Sequence, residues 1–201
     1  MASTYDLKNV FYLDGSVSTD QADGSVGEAG DTFSGQLDLS SYVDPIGKGR
    51  TSGVGLAVYR VMYGLTASSS GSDPVDVAET GVLRAGLVAG AGTGNAAAGS
   101  GPAVNSSNAP SAKNDLTISA FDFYGPKSSI ANASTPGGFT YREFVSPSKE
   151  VPYVVVRDNA CLIGIIKETF AAEMFVQFRM ECAMITLDKS TLNQLLRTQT
   201  V

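Results

Sequence analysis

The side chains in this sequence that could do chemistry are carboxylates. There is no histidine anywhere in the chain and no tryptophan. Missing histidine removes the commonest general base and a principal zinc ligand, and it excludes every Ser–His or Cys–His nucleophile arrangement. Glycoside chemistry by paired carboxylates would need two acids facing one another across a cleft. Glu143, Glu150, Glu168, Glu173 and Glu181 are present, but charge pairing across strands, or burial at a subunit boundary, accounts for them without catalysis. Asp14, Asp20, Asp23, Glu28 and Asp31 offer the oxygens that calcium takes, without the spacing of an EF-hand, so a solvated loop is expected there. Cys161 and Cys182 each sit in an apolar run and read as small buried hydrophobes rather than a disulfide or redox pair. No catalytic residue, metal ligand or cofactor follows from these groups, and the chain is expected not to be an enzyme.

Two glycine-rich stretches invite a phosphate-binding reading and fail it. Gly92-x-Gly94-x-x-Ala97 follows a strand-like run, but a dinucleotide fingerprint works only if a helix starts at the turn and aims its amides at the pyrophosphate. Here that helix would have no apolar face, and Gly99, Gly101 and Pro102 would cut it short. Gly47-Lys-Gly-Arg-Thr-Ser is too short for a P-loop and reads as an exposed loop or a basic turn at a subunit contact. With 20 acidic against 14 basic residues the net charge is -6, which argues against general nucleic-acid binding. The N-terminal residues lack both the basic and the apolar region of a secretory signal. No run approaches the ~18 apolar residues of a membrane span. Neither a signal peptide nor a transmembrane segment is therefore expected, and the sequons at Asn105 and Asn132 carry no weight.

The element best placed to position any of these groups runs from Ala172 to Leu187. Ala172, Met174, Val176, Phe178, Met180, Cys182 and Met184 fall on every second position, the period of a strand with one apolar face. As a helix, the stretch would put Met180 and Met184 on the same side as Glu173, Gln177 and Glu181. At about 3.3 Å per residue such a strand extends roughly 50 Å and needs a large sheet beside it. Further strands are expected at 9–13, 33–39, 54–65, 79–88, 116–124, 139–145, 151–156 and 161–166, with Asp14-Gly and Asp23-Gly as turns. Val54–Leu65 is apolar on both faces apart from Arg60, as a central strand would be if covered on both sides or by a neighbouring subunit. Residues 89–115 read as a long Gly/Ala/Ser-rich surface excursion, since Gly90–Ser111 hardly contains a large apolar residue. Near the end, Ser190 or Thr191 could cap a short helix through Leu192, Leu195 and Leu196. No long helical period interrupts the strands, which disfavours a parallel βαβ fold. The 201 residues therefore read as one all-β domain: an antiparallel β-sandwich, as a single jelly roll of about eight strands with long loops and a short C-terminal helix.

In this pattern, strands over most of residues 8–187 with very unequal loops and no catalytic constellation, the chain resembles single jelly-roll viral capsid proteins. The resemblance implies a structural self-assembling subunit of an icosahedral shell, found in the virion and assembled in the host cytoplasm. Its implied partners are further copies of itself and, where a shell uses them, other capsid proteins. Many such proteins carry an Arg/Lys-rich N-terminal arm for the genome. Residues 1–30 here hold only Lys8 as a base, so direct nucleic-acid binding is not expected. The alternative is a β-sandwich ligand-binding or adhesion module, for example for carbohydrate, but those present exposed aromatic platforms, often tryptophan. On the second face of the long strand, Phe175, Ala183, Ile185 and Leu187 are too apolar for open water, and polar residues stand between them. The expected subunit interface is therefore Phe175, Gln177, Arg179, Glu181 and Ile185, joined by Arg60.

Overall fold

A computed structural model describes residues 10–20, 27–44, 52–68, 70–76, 79–90, 110–126 and 140–199. In chain order the strands are β1 (Phe11–Ser18), β2 (Thr32–Asp38), β3 (Ser52–Thr66), β4 (Val82–Ala89), β5 (Thr117–Tyr124), β6 (Thr140–Val145), β7 (Tyr153–Val155), β8 (Asn159–Glu168) and β9 (Phe175–Asp188), followed by the helix α1 (Lys189–Thr198). They form two sheets, ordered β1-β9-β3-β7 and β2-β8-β4-β5-β6. Every pairing is antiparallel, and the pairs nest: β1 with β9, β2 with β8, β3 with β7, β4 with β5. A ribbon whose first half pairs in reverse order with its second half, rolled into two facing sheets, is a jelly roll. The sandwich expected from the sequence is present, with one strand beyond eight, because β6 adds to the outer edge of β5. The candidate dinucleotide motif and the basic turn at Gly47–Arg50 lie outside the described residues, as does most of the 89–115 excursion. Ala89, its first residue, belongs to β4.

The core lies between the sheets. From one side come Leu56, Val58, Val61, Val176, Phe178, Met180 and Cys182, and from the other Phe33, Leu83, Ala85, Leu87, Phe121, Leu162 and Ile166. β3 explains why its sequence reads apolar on both faces. Val58 lies opposite Cys182 and Arg60 opposite Glu181, so Tyr59 is an extra residue in the strand. This bulge inverts the alternation: Leu56 and Val58 point inward before it, Val61 and the half-buried Tyr63 and Leu65 after it. One strand thus contributes two apolar runs of opposite parity.

The structure departs from the sequence pattern in three places. The Asp14-Gly15 turn is the middle of β1, not a turn. Gly15 pairs with Phe178, and a Cβ at residue 15 would meet that ring at 2.7 Å, so the glycine makes room for an aromatic core residue. The long strand begins at Phe175 rather than Ala172, and its apolar period ends early, because Met184 is 47% exposed. β1 starts opposite Cys182, so among the described residues β9 has a neighbour only on its β3 side past that point. Finally, the helix is capped by Asp188, whose carboxylate accepts from Thr191 N–H at 2.9 Å, rather than by Ser190 or Thr191. Asp188 therefore ends β9 and starts α1 in one residue, and those hydrogen bonds hold its carboxyl below the usual value.

Just past α1, Gln199 closes the far edge of the β1-β9-β3-β7 sheet. Gln199, buried beside β7, donates its side-chain amide to Val154 C=O at 2.7 Å and accepts from Val156 N–H at 3.1 Å. Its own carbonyl accepts from Arg157. One side chain thus supplies the donor and acceptor that a further strand would offer, which blunts an edge open to outside pairing.

Candidate functional site

The outer face of the β1-β9-β3-β7 sheet, turned away from the core, gathers the expected interface residues. β9 sits between β1 and β3, and three-residue rows run across the strands: Tyr12–Glu181–Arg60, Asp14–Arg179–Met62, Ser16–Gln177–Gly64 and Ser18–Phe175–Thr66. Arg60 reaches this face only because of the bulge at Tyr59. Five of the six expected residues therefore lie on two successive strands of one open surface. Ile185 lies on the same face further along β9, where it packs half-buried beside Tyr59, Ala183 and Leu187.

The two ends of the face differ. At the α1 end the apolar residues are covered from within, since Leu187 and Val156 are buried with Leu192 of the helix, and Ala183 is buried beside Tyr59 and its register partner Ala57. At the other end the connector after β3 folds back onto Gln177. Gly71 adopts φ +74° there, and any side chain at that position would run into the Gln177 amide. Between these covers Tyr12, Asp14, Ser16, Arg60 and Arg179 stand exposed, around a shallow basin of about 540 Å³ lined by Asp14, Ser16, Ser70, Gln177 and Arg179.

Contacts within the face are few and specific. The Arg179 guanidinium lies over the Tyr12 ring at 5.6 Å, a cation–π distance. Lys149 reaches Glu181 at 3.1 Å, and the glutamate side chain keeps only 13% exposure. Ser18 O–H donates to Glu173 at 2.6 Å. Among the described residues no ion pair joins Asp14 to Arg179, although they are register partners. An expected first strand ending at Leu13 leaves Asp14 and Ser16 outside this face, and Tyr12, though within that strand, is not among the expected interface residues. The signal was there: Phe11, Leu13, Gly15 and Val17 continue the period through the Asp-Gly pair.

The carboxylates of the opposite sheet are structural in their geometry. Arg84 makes a two-pronged contact with Asp122, at 2.6 and 2.9 Å, and stacks over Phe144. That pairing pushes the guanidinium pKa up. Glu79, buried, accepts from the N–H groups of Thr80, Gly81 and Ala171. Among the described residues no three His, Cys, Asp or Glu side chains come together as a metal site would need. Both cysteines are free and buried, with their thiol pKa values raised by burial to about 11 for Cys161 and about 12 for Cys182. A second cleft, of about 330 Å³, opens between the sheets and is lined by Tyr63, Leu65, Phe121, Phe123 and Tyr141. No described helix is long and apolar enough to cross a membrane.

No protein-family model matches this chain, and no curated protein sequence does. Among solved structures it is similar to the capsid protein VP1 of Trichodysplasia spinulosa-associated polyomavirus. The VP1 complex with GM1 oligosaccharide superposes with a TM-score of 0.38 at 8% identity, over 90% of this chain and 95% of that one. The VP1 complex with sialylated precision glycooligomers gives 0.39 at the same identity and coverage.

Proposed function

We propose that this protein is a structural assembly subunit, a capsid protein of the jelly-roll kind, which builds a shell through contacts between copies of itself. The observation that carries the reading is the open window on the β1-β9-β3 face. Its residues are of the types that protein–protein interfaces favour: a 54% exposed Tyr12, Arg60, Arg179 and Met62. They lie at the centre of a sheet whose two ends the chain itself covers, by α1 and by the connector after β3. Apolar surface that a monomer needs to hide is hidden intramolecularly, and what is left open is mixed, aromatic and charged, as a specific contact requires. Of the expected set Phe175, Gln177, Arg179, Glu181, Ile185 and Arg60, the exposed Arg179 and Arg60 carry this contact, and the other four flank it.

The test is Arg179→Glu, which reverses one exposed charge without touching the core face of β9. Assembly, followed by negative-stain imaging of concentrated protein, is expected to fail while the thermal midpoint stays near that of the parent. Loss of assembly and of thermal stability in equal measure would show this face to be ordinary fold. A parent chain that stays monomeric at every concentration would end the assembly reading itself.

A further inference from the structure

We infer that the open window is a two-fold contact between two copies of this chain, in which Asp14 of each copy lies against Arg179 of the other. The inference rests on the assembly reading and adds a symmetry and two residues, Asp14 and Tyr12, that the interface set lacks. A two-fold contact sets one patch against itself, so a patch of single charge repels itself and a patch carrying both signs side by side can match. Asp14 and Arg179 are such neighbours: register partners on adjacent strands, both exposed, with no ion pair between them among the described residues. An axis running along the strands between β1 and β9 lays β1 of one copy over β9 of the other. Asp14 then meets Arg179, carboxylate against guanidinium, and the exposed Tyr12 ring lies over the Glu181 row. Moving the axis onto β9 would instead place Arg179 over Arg179 in the absence of any intervening anion. The connector on Gln177 and the helix at the far end bound the contact to these rows.

The experiment uses the full chain with Asp14→Arg and Arg179→Asp, each alone and as an equimolar mixture, followed by sedimentation velocity. Alone, each variant sets like charges together twice, and association is expected to weaken about tenfold or more. In the mixture both contacts again join opposite charges, so association between unlike chains is expected to return close to the parental strength. Mixing cannot repair an interaction inside one chain, and this separates a contact between copies from the cross-strand pair within a copy. If either variant fails to fold, as seen by loss of its cooperative melt, Asp14→Lys and Arg179→Glu provide the same exchange. Variants that associate like the parent, or a mixture no tighter than its components, overturn the inference and leave the assembly reading standing. A parent chain that never associates overturns both.

Discussion

Removing one oxygen atom, in Tyr63→Phe, is expected to cost far more than that change usually does. Tyr63 belongs to β3, yet its hydroxyl lies in the opposite sheet, where it donates to Ser119 C=O and accepts from Leu87 N–H, both at 3.1 Å. The ladder between β4 and β5 slips at this point, since Leu87 pairs with Ser119 but Val88 with Thr117. The hydroxyl bridges the donor and acceptor, so one side chain ties the two sheets together and mends a bulge. Burial pushes the Tyr63 hydroxyl pKa well above its ordinary value. The phenylalanine ring can keep the 4.4 Å contact with Phe121, so the substitution isolates the hydroxyl. It leaves a buried N–H and a buried C=O without their partner, each costing about 1–3 kcal/mol. With some relaxation, a loss of about 2–4 kcal/mol follows, or roughly 4–16 °C in Tm for a chain of this size. Urea and thermal unfolding of the parent and the variant would measure it. Tyr141→Phe serves as the control, because Tyr141 is 45% exposed and its hydroxyl donates to Glu143 alone among the described residues. A loss for Tyr63→Phe no larger than for Tyr141→Phe would mean that β4 and β5 close directly once the hydroxyl is gone, and that the bridge adds no stability.

Three further outcomes follow from the same geometry. Gly15→Ala is expected to destabilise by about 1–3 kcal/mol in denaturant unfolding, through overpacking against Phe178; a neutral result would mean that the ring moves aside freely. Gln199→Ala is expected to cost about 1–3 kcal/mol by stranding Val156 N–H and Val154 C=O, and exchange of the Val156 amide should speed up by more than that of core amides. Cys161 and Cys182 should resist a thiol reagent at pH 8 until the chain unfolds. Because burial raises both folded thiols above the ordinary value of about 9, their contribution to stability is complete below that pH and declines as pH rises toward 11–12. Rapid labelling of the native protein, or stability that climbs with pH across that window, would contradict this.

The parts of the fold that were legible in the sequence are those where one physical rule acts alone. The alternation through Met174, Val176, Phe178, Met180 and Cys182 reflects a strand with one core face, and those residues are buried. Leu192, Leu195 and Leu196 marked the helix because only that face packs. Where two rules compete, the sequence misleads. Asp14-Gly15 has turn chemistry, yet the ring of Phe178, 163 positions away in the chain, needs the space the glycine leaves. β3 looks apolar all round because a bulge at Tyr59 reverses its phase, and nothing local to the sequence announces it. Met184 continues the core period but outruns β1, which depends on where a distant strand begins. The face itself followed from β9, since a strand with one core side must have another. Its β1 half did not, because it required the register between strands far apart in sequence.

A shell built from this chain requires that its copies bind one another. Light scattering coupled to size-exclusion chromatography, on the purified full chain from low micromolar to near-millimolar concentration, tests it most directly. The expected mass rises with concentration above the 20.8 kDa of one chain and resolves into dimers and larger closed assemblies. A constant mass of one chain across the whole range would contradict it.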